Sequence, residues 1–196
     1  DAARAGALLA VVARAPSGGG PFPAAMIQVD EVAAALARCG AYARQRIRGK
    51  VVAITGSAGK TTTKEFVAAG LGASAKVHRT MGNLNNELGL PLSLLSCPDD
   101  AEAAVFEIGM NGPGQIAFLA RLADPDVALV TNVGPVHLEF FESVDDIAAA
   151  KGELFAVLRA DATSVVNLDD ERVRVQATRH AGPRVTFGRA ESADVR

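Results

Sequence analysis

Four side chains in this sequence stand in settings that invite chemistry: Lys60, Glu107, His137 and Lys151. Lys60 closes a glycine turn, Thr55-Gly56-Ser57-Ala58-Gly59-Lys60-Thr61-Thr62, that follows the apolar run Val51 to Ile54. Without side chains at Gly56 and Gly59, backbone N–H groups can close around phosphate oxygens at the positive end of a following helix. Lys60 then reaches the outer phosphates, and the Thr61 hydroxyl holds Mg²⁺. The full Walker spacing wants a glycine at position 54, where Ile54 stands, so this is a shortened phosphate loop. A turn that needs glycine only for its backbone is the plainer explanation. Gly-Lys-Thr directly after a buried strand favours nucleotide phosphates instead.

The other three residues need partners. Glu107 is the one carboxylate in the run Ala104-Val105-Phe106-Glu107-Ile108-Gly109. Buried and unpaired it would cost several kcal/mol. Beside the phosphate loop its simplest partner is Mg²⁺, which prefers oxygen ligands; on an edge strand it would face water. His137 lies in Asn132-Val133-Gly134-Pro135-Val136-His137-Leu138-Glu139, a loop after a strand end, where a lone imidazole is more often a hydrogen-bonding group than a ligand. Lys151 has Ile147, Ala148, Leu154 and Phe155 as its helical neighbours. Burial there lowers a lysine's pKa and frees an amine that can attack electrophiles such as CO₂; a snorkelling ammonium is the bland reading. Asn83, Asn85 and Asn86, in a glycine-flanked segment, serve equally as turn and cap residues or as the lining of a polar substrate cleft.

These residues need a frame, and the frame is periodic. Strands are expected at 51–55, 76–79, 103–108, 127–132, 163–167 and 184–187, and helices at 60–72, 85–96, 114–123, 144–159 and 170–180. Apolar strands alternating with helices imply an α/β fold, a mostly parallel sheet with helices on both faces. Ligands of such sheets sit beyond the carboxyl ends of the strands. Gly56 to Thr62, Glu107 and Asn132 to His137 all fall at such ends.

Residues 1–50 read differently. A helix from Ala2 to Ala13 is expected to run into a strand at Leu8 to Val12, followed by the loop Ser17-Gly18-Gly19-Gly20-Pro21 and a short strand, Met26 to Val29. Asp30 is expected to cap a helix with Val32, Leu36, Cys39 and Tyr42 on its apolar face. Its end carries Arg44, Arg46, Arg48 and Lys50, a solvated cationic terminus rather than an anion site.

Composition narrows the class. The chain has 196 residues, 49% of them hydrophobic and 21% charged, enough for a sizeable core. A formal net charge of −2 argues for neither nucleic acid nor membrane partners. No apolar run is long enough to span a bilayer, and no signal segment is evident. Cys39 and Cys97 lack metal-ligand spacing and read as reduced thiols of a cytoplasmic protein. The chain starts at Asp1 and stops at Arg196 without a closing element, so a piece of a longer protein is expected.

Five segments together resemble the Mur ligases: Thr55 to Glu65, Gly82 to Pro91, Phe106 to Asn111, Asn132 to Glu139 and Ala150 to Phe155. The asparagine-rich segment and Thr63-Lys64-Glu65 look most like the branch of that family that joins D-alanyl-D-alanine to a UDP-muramoyl-tripeptide. The resemblance implies that residues 1–48 are the end of a UDP-sugar-binding amino-terminal domain and 49–196 most of a central ATP-binding domain. It implies ATP and two Mg²⁺ as cofactors, an acyl-phosphate route to an amide, and a monomer acting on small-molecule substrates. Matched by motif, Gly56, Ser57, Ala58, Gly59, Lys60, Thr61, Thr62 and Asn132 bind the nucleotide. Thr61, Glu107, His137 and a carbamylated Lys151 serve the metals, and Asn83, Asn85 and Asn86 face the muramoyl-peptide. Ala58 departs from the asparagine usual in the wider family. A helix that helps hold adenine and a carboxy-terminal domain fall outside the sequence, so little turnover is expected of these residues alone. The competing readings are a sibling ligase (poly-γ-glutamate or folylpolyglutamate synthase) and a nucleotide-binding fragment without catalysis.

Overall fold

The computed structural model describes residues 4–15, 25–136 and 138–196. Six strands form one sheet: β3 (Lys50–Thr55), β4 (Val77–Arg79), β5 (Ala103–Glu107), β6 (Val127–Val130), β7 (Thr163–Asn167) and β8 (Arg184–Phe187). Their order is β4-β5-β3-β6-β7-β8, and every pairing is parallel. Five helices connect them in turn: α2 (Lys60–Gly72), α3 (Gly89–Leu95), α4 (Gln115–Ala123), α5 (Val144–Ala156) and α6 (Glu171–Ala177). The expected α/β alternation holds, with every element end within four residues of the sequence boundary and α2, β7 and β8 matching it at both ends.

Crossover handedness explains how the layers divide. From β3 the chain steps to one side through α2; every later step runs the other way, so right-handed connections put α3 to α6 on the opposite face. Ile54 and Val105 accordingly pack with Ala68 of α2 in a small cluster. Val51, Ala53, Phe106, Ala128, Val130 and Val166 face the larger core. Helices therefore lie on both faces, but unevenly. On the α2 side of β6 to β8, Val127, Leu129 and Val165 stay half-buried and Val185 is exposed. Ile54, which occupies the expected glycine position, is a fully buried strand residue; this is why the loop is short.

The first fifty residues depart most from expectation. Residues 4–15 hold no helix; they carry β1 (Leu9–Val12), which pairs in parallel with β2 (Ala25–Gln28). Residues 1–3 and the expected loop at Ser17 to Pro21 lie outside the described residues. Helix α1 (Val32–Arg46) is capped by Glu31, not Asp30: its carboxylate accepts the N–H groups of Ala33 and Ala34. The buried face of α1 is also not the expected one. Val32, Cys39 and Tyr42 are exposed, whereas Ala35, Gly40 and Ala43 are buried. Small residues allow close approach: a Cβ on Gly40 would lie 2.9 Å from Pro91 Cα of α3. Arg44 adds a polar anchor, donating to the carbonyls of Ala123 (2.6 Å) and Asp124 (2.7 Å) at the end of α4. Arg46 pairs with Asp99 and Lys50 with Asp126, so these basic residues tie down the helix end rather than form an anion site. Cys39 and Cys97 are free thiols, and burial pushes the Cys97 thiol up to about 11. Among the described residues no helix is long and apolar enough to cross a membrane.

Candidate phosphate-loop site

Strands β3, β5 and β6 are adjacent, so their carboxyl ends deliver the glycine turn, Glu107 and Asn132 to one rim. Gly56 has φ +151° and sits against β6: a Cβ there would lie 1.9 Å from Thr131 Oγ1. Gly59, at φ +77°, is the N-cap of α2 and leaves open space around it. No side chain caps α2. The N–H groups of its first turn therefore face outward at the positive helix end, the arrangement an anion needs.

The loop is braced from β6. Asn132 Oδ1 accepts the Ala58 N–H at 2.9 Å, its amide donates to the Ala58 carbonyl at 3.0 Å, and its carbonyl accepts Ser57 N–H at 3.0 Å. The Ser57 hydroxyl is held between the Gly134 N–H and carbonyl, at 2.8 and 3.1 Å. Asn132, Ser57 and the Ala58 amide thus set the shape of the turn. Lys60 Nζ folds back 3.0 Å from the Gly56 carbonyl. Thr62 is exposed on the first turn of α2.

Glu107 is 3% exposed, yet no cation pairs with it among the described residues. Its Oε2 accepts the Thr61 hydroxyl at 2.8 Å and its Oε1 accepts the Asn85 amide at 2.8 Å. A carboxylate and a hydroxyl side by side form a hard-oxygen pair of the kind Mg²⁺ takes, so the residues present fit that ion. The role of Asn85 as a partner of Glu107 is not legible in the sequence. The Asn86 side chain, two residues before the Leu88 N-cap of α3, accepts the Gly89 N–H at 2.8 Å, while Asn83 is exposed beyond the cavity lining.

A cavity of about 360 Å³ is lined by Gly56, Lys60, Asn85, Asn86, Gln115 and Lys151, among others. Lys151 reaches it from α5. It is 2% exposed among Ile147, Leu154 and Phe155, and it has no ion pair with any described residue. Burial, with the Lys60 charge adding to it, pushes its ammonium down to about 8. The snorkelling reading fails. Two residues later on α5, Glu153 accepts the N–H groups of Gly114 (2.7 Å) and Ala117 (3.0 Å), capping α4 across the site. Sequence spacing gave no sign of that contact. His137 lies outside the described residues.

Fold and loop together define a class, a parallel α/β domain with a glycine phosphate loop at the rim of its central strands. Comparison with known proteins narrows it. The model of the Mur ligase middle domain matches residues 54–196. The UDP-N-acetylmuramoyl-tripeptide–D-alanyl-D-alanine ligase of Bacillus subtilis is 42% identical over 147 residues, 75% of this chain and 32% of that protein. Its namesake from Synechocystis is 40% identical over the whole chain and 43% of its own length. The crystal structure of the MurF ligase from Thermotoga maritima in complex with ADP superposes with a TM-score of 0.83 at 35% identity, covering 95% of this chain and 43% of that one. This chain belongs to the Mur ligase family. It spans about a third to two fifths of the length of these curated relatives.

Proposed function

We propose that this chain is the phosphate-handling part of an ATP-dependent amide ligase that adds D-alanyl-D-alanine to UDP-N-acetylmuramoyl-tripeptide in the cytoplasm. The observation that carries the reading is the convergence of Lys60, Lys151, Asn85 and Asn86 on one cavity, with the Glu107–Thr61 pair beside it. The Lys60 ammonium and the outward-facing N–H groups of the first turn of α2 suit the phosphates of a nucleotide. ATP is the co-substrate: its terminal phosphoryl group passes to the tripeptide carboxylate, and the dipeptide amine displaces phosphate from the resulting acyl phosphate. Most of the acceleration in such a reaction comes from positioning and charge stabilisation.

The chain's own residues divide the work. The first turn of α2 and Lys60 hold the outer phosphates, and Asn132 keeps the turn in shape. Thr61 and Glu107 hold one Mg²⁺, which when bound neutralises phosphate charge. Lys151, neutral more readily than an exposed lysine, adds CO₂ with loss of a proton, and the carbamate oxygens serve a second Mg²⁺. The family resemblance assigns His137 to the metals, and Asn83 with Asn86 to the muramoyl-peptide. The amino-terminal residues belong to the UDP-sugar domain, the remainder to the central domain, and the whole protein acts as a monomer.

The reading is tested by calorimetric titration of Mg·ATP into the chain and its Lys60→Ala variant, with phosphate release assayed in parallel. Binding that is lost in the variant, with little or no release, is expected. Failure of the wild type to bind overturns the site, and robust amide formation by residues 1–196 alone overturns the assignment of turnover to a longer protein.

A further inference from the structure

We infer that Lys64 is a positioning residue for the metal-binding carboxylate, acting through Thr80 on Glu107. The inference rests on the reading that Glu107 and Thr61 serve Mg²⁺. Lys64 lies one helical turn beyond Lys60 on α2 and points inward: it is 1% exposed. A buried ammonium is costly unless its donors are satisfied. Here Nζ donates to the Thr80 carbonyl at 2.7 Å and pairs with Glu65 Oε1 at 3.0 Å. Glu65 in turn holds Arg79 at 2.7 Å. The segment Arg79-Thr80, where β4 ends, is therefore clamped to α2 by charge.

Thr80 is where the clamp meets the site. The Ile108 N–H donates to the Ile54 carbonyl of β3, so in the alternating ladder the Glu107 N–H points toward β4. But β4 stops at Arg79 and offers no further ladder carbonyl. The Thr80 hydroxyl takes that place: it accepts the Glu107 N–H at 3.1 Å, and Thr80 is fully buried. Glu107 is thus held by its main chain to Thr80 and by its side chain to Thr61 and Asn85. Lys64 fixes the first of these while the same helix supplies the second. One helix thereby sets the carboxylate, the hydroxyl and the phosphate lysine in a single register.

The test is calorimetric titration of ADP into the chain, with and without Mg²⁺, for the wild type, Lys64→Met, Thr80→Val and Thr80→Ser. Partners that orient a metal ligand are typically worth roughly 10- to 100-fold in metal affinity. Lys64→Met and Thr80→Val are each expected to shrink the Mg²⁺-dependent gain in ADP affinity by about that factor. Metal-free ADP affinity stays unchanged, and Thr80→Ser recovers the gain. A gain that persists in both Lys64→Met and Thr80→Val overturns the inference, as does an equal loss with and without Mg²⁺. Should Lys64→Met fail to fold, the two Thr80 variants decide. A wild type whose ADP binding ignores Mg²⁺ overturns the metal reading itself, and the role of Lys64 with it.

Discussion

The Thr61 hydroxyl lies 2.8 Å from Glu107 Oε2, joining the first turn of α2 to the last residue of β5. The bond ties a residue of the phosphate loop to a carboxylate 46 positions away. It also gives a donor to the carboxylate oxygen that the Asn85 amide does not reach, so the pair is coupled in stability as well as in chemistry.

That coupling is measurable. Thr61→Val leaves a lone pair of Glu107 unsatisfied in a buried setting, and stability should fall by about 1–3 kcal/mol. Glu107→Gln should remove the Mg²⁺-dependent part of nucleotide affinity. In denaturant titrations the double variant Thr61→Val/Glu107→Gln should lose less than the sum of the two single losses. Simple additivity would mean that the contact carries no energy.

Gly56→Ala tests the turn. Its Cβ would fall 1.9 Å from Thr131 Oγ1, and its φ of +151° is one that alanine rarely adopts. Mg·ADP binding should be lost and the melting temperature lowered. Adding Thr131→Ala relieves the clash but not the backbone strain, so recovery should be partial. Wild-type binding by Gly56→Ala would show that the turn tolerates a side chain.

Lys151 should make stability depend on pH in a defined window. Its folded pKa is lowered from 10.5 to about 8, so between these values the unfolded chain holds more protons than the folded one. Stability therefore rises with pH across that window, by ~3 kcal/mol in all, and is flat below it. Melting curves in CO₂-free buffer should show the rise in the wild type and not in Lys151→Met. Lys151→Met should also be the more stable of the two at pH 7. A slope of the same size in Lys151→Met would place its origin elsewhere.

Arg44 should matter to stability and not to nucleotide. It satisfies two carbonyls at the end of α4 from α1. Arg44→Met removes both bonds, and a loss of about 1–3 kcal/mol is expected. Chemical denaturation gives the stability and calorimetry the ADP affinity, which should stay at the wild-type value. A fall in affinity would mean that α1 communicates with the loop.

The sequence by itself determined the alternation of strand and helix from residue 51 onward, the glycine turn after β3 and the apolar helical neighbours of Lys151; that Lys151 is buried rather than snorkelling was decided by the fold. The first three are local properties: hydrophobic period, glycine placement and helical neighbours are all read within a dozen residues. It determined α1 poorly, because the face that buries Ala35, Gly40 and Ala43 carries weak hydrophobic contrast, while Val32 and Tyr42 carry strong contrast and face water. Tertiary structure alone decided the partners. That Asn132 braces Ala58, that Asn85 and Thr61 share Glu107, and that Glu153 caps α4 depend on strand order and on which helix crosses which face. Strand order is a property of the folded sheet, and it is what brings residues separated by tens of positions to the same rim.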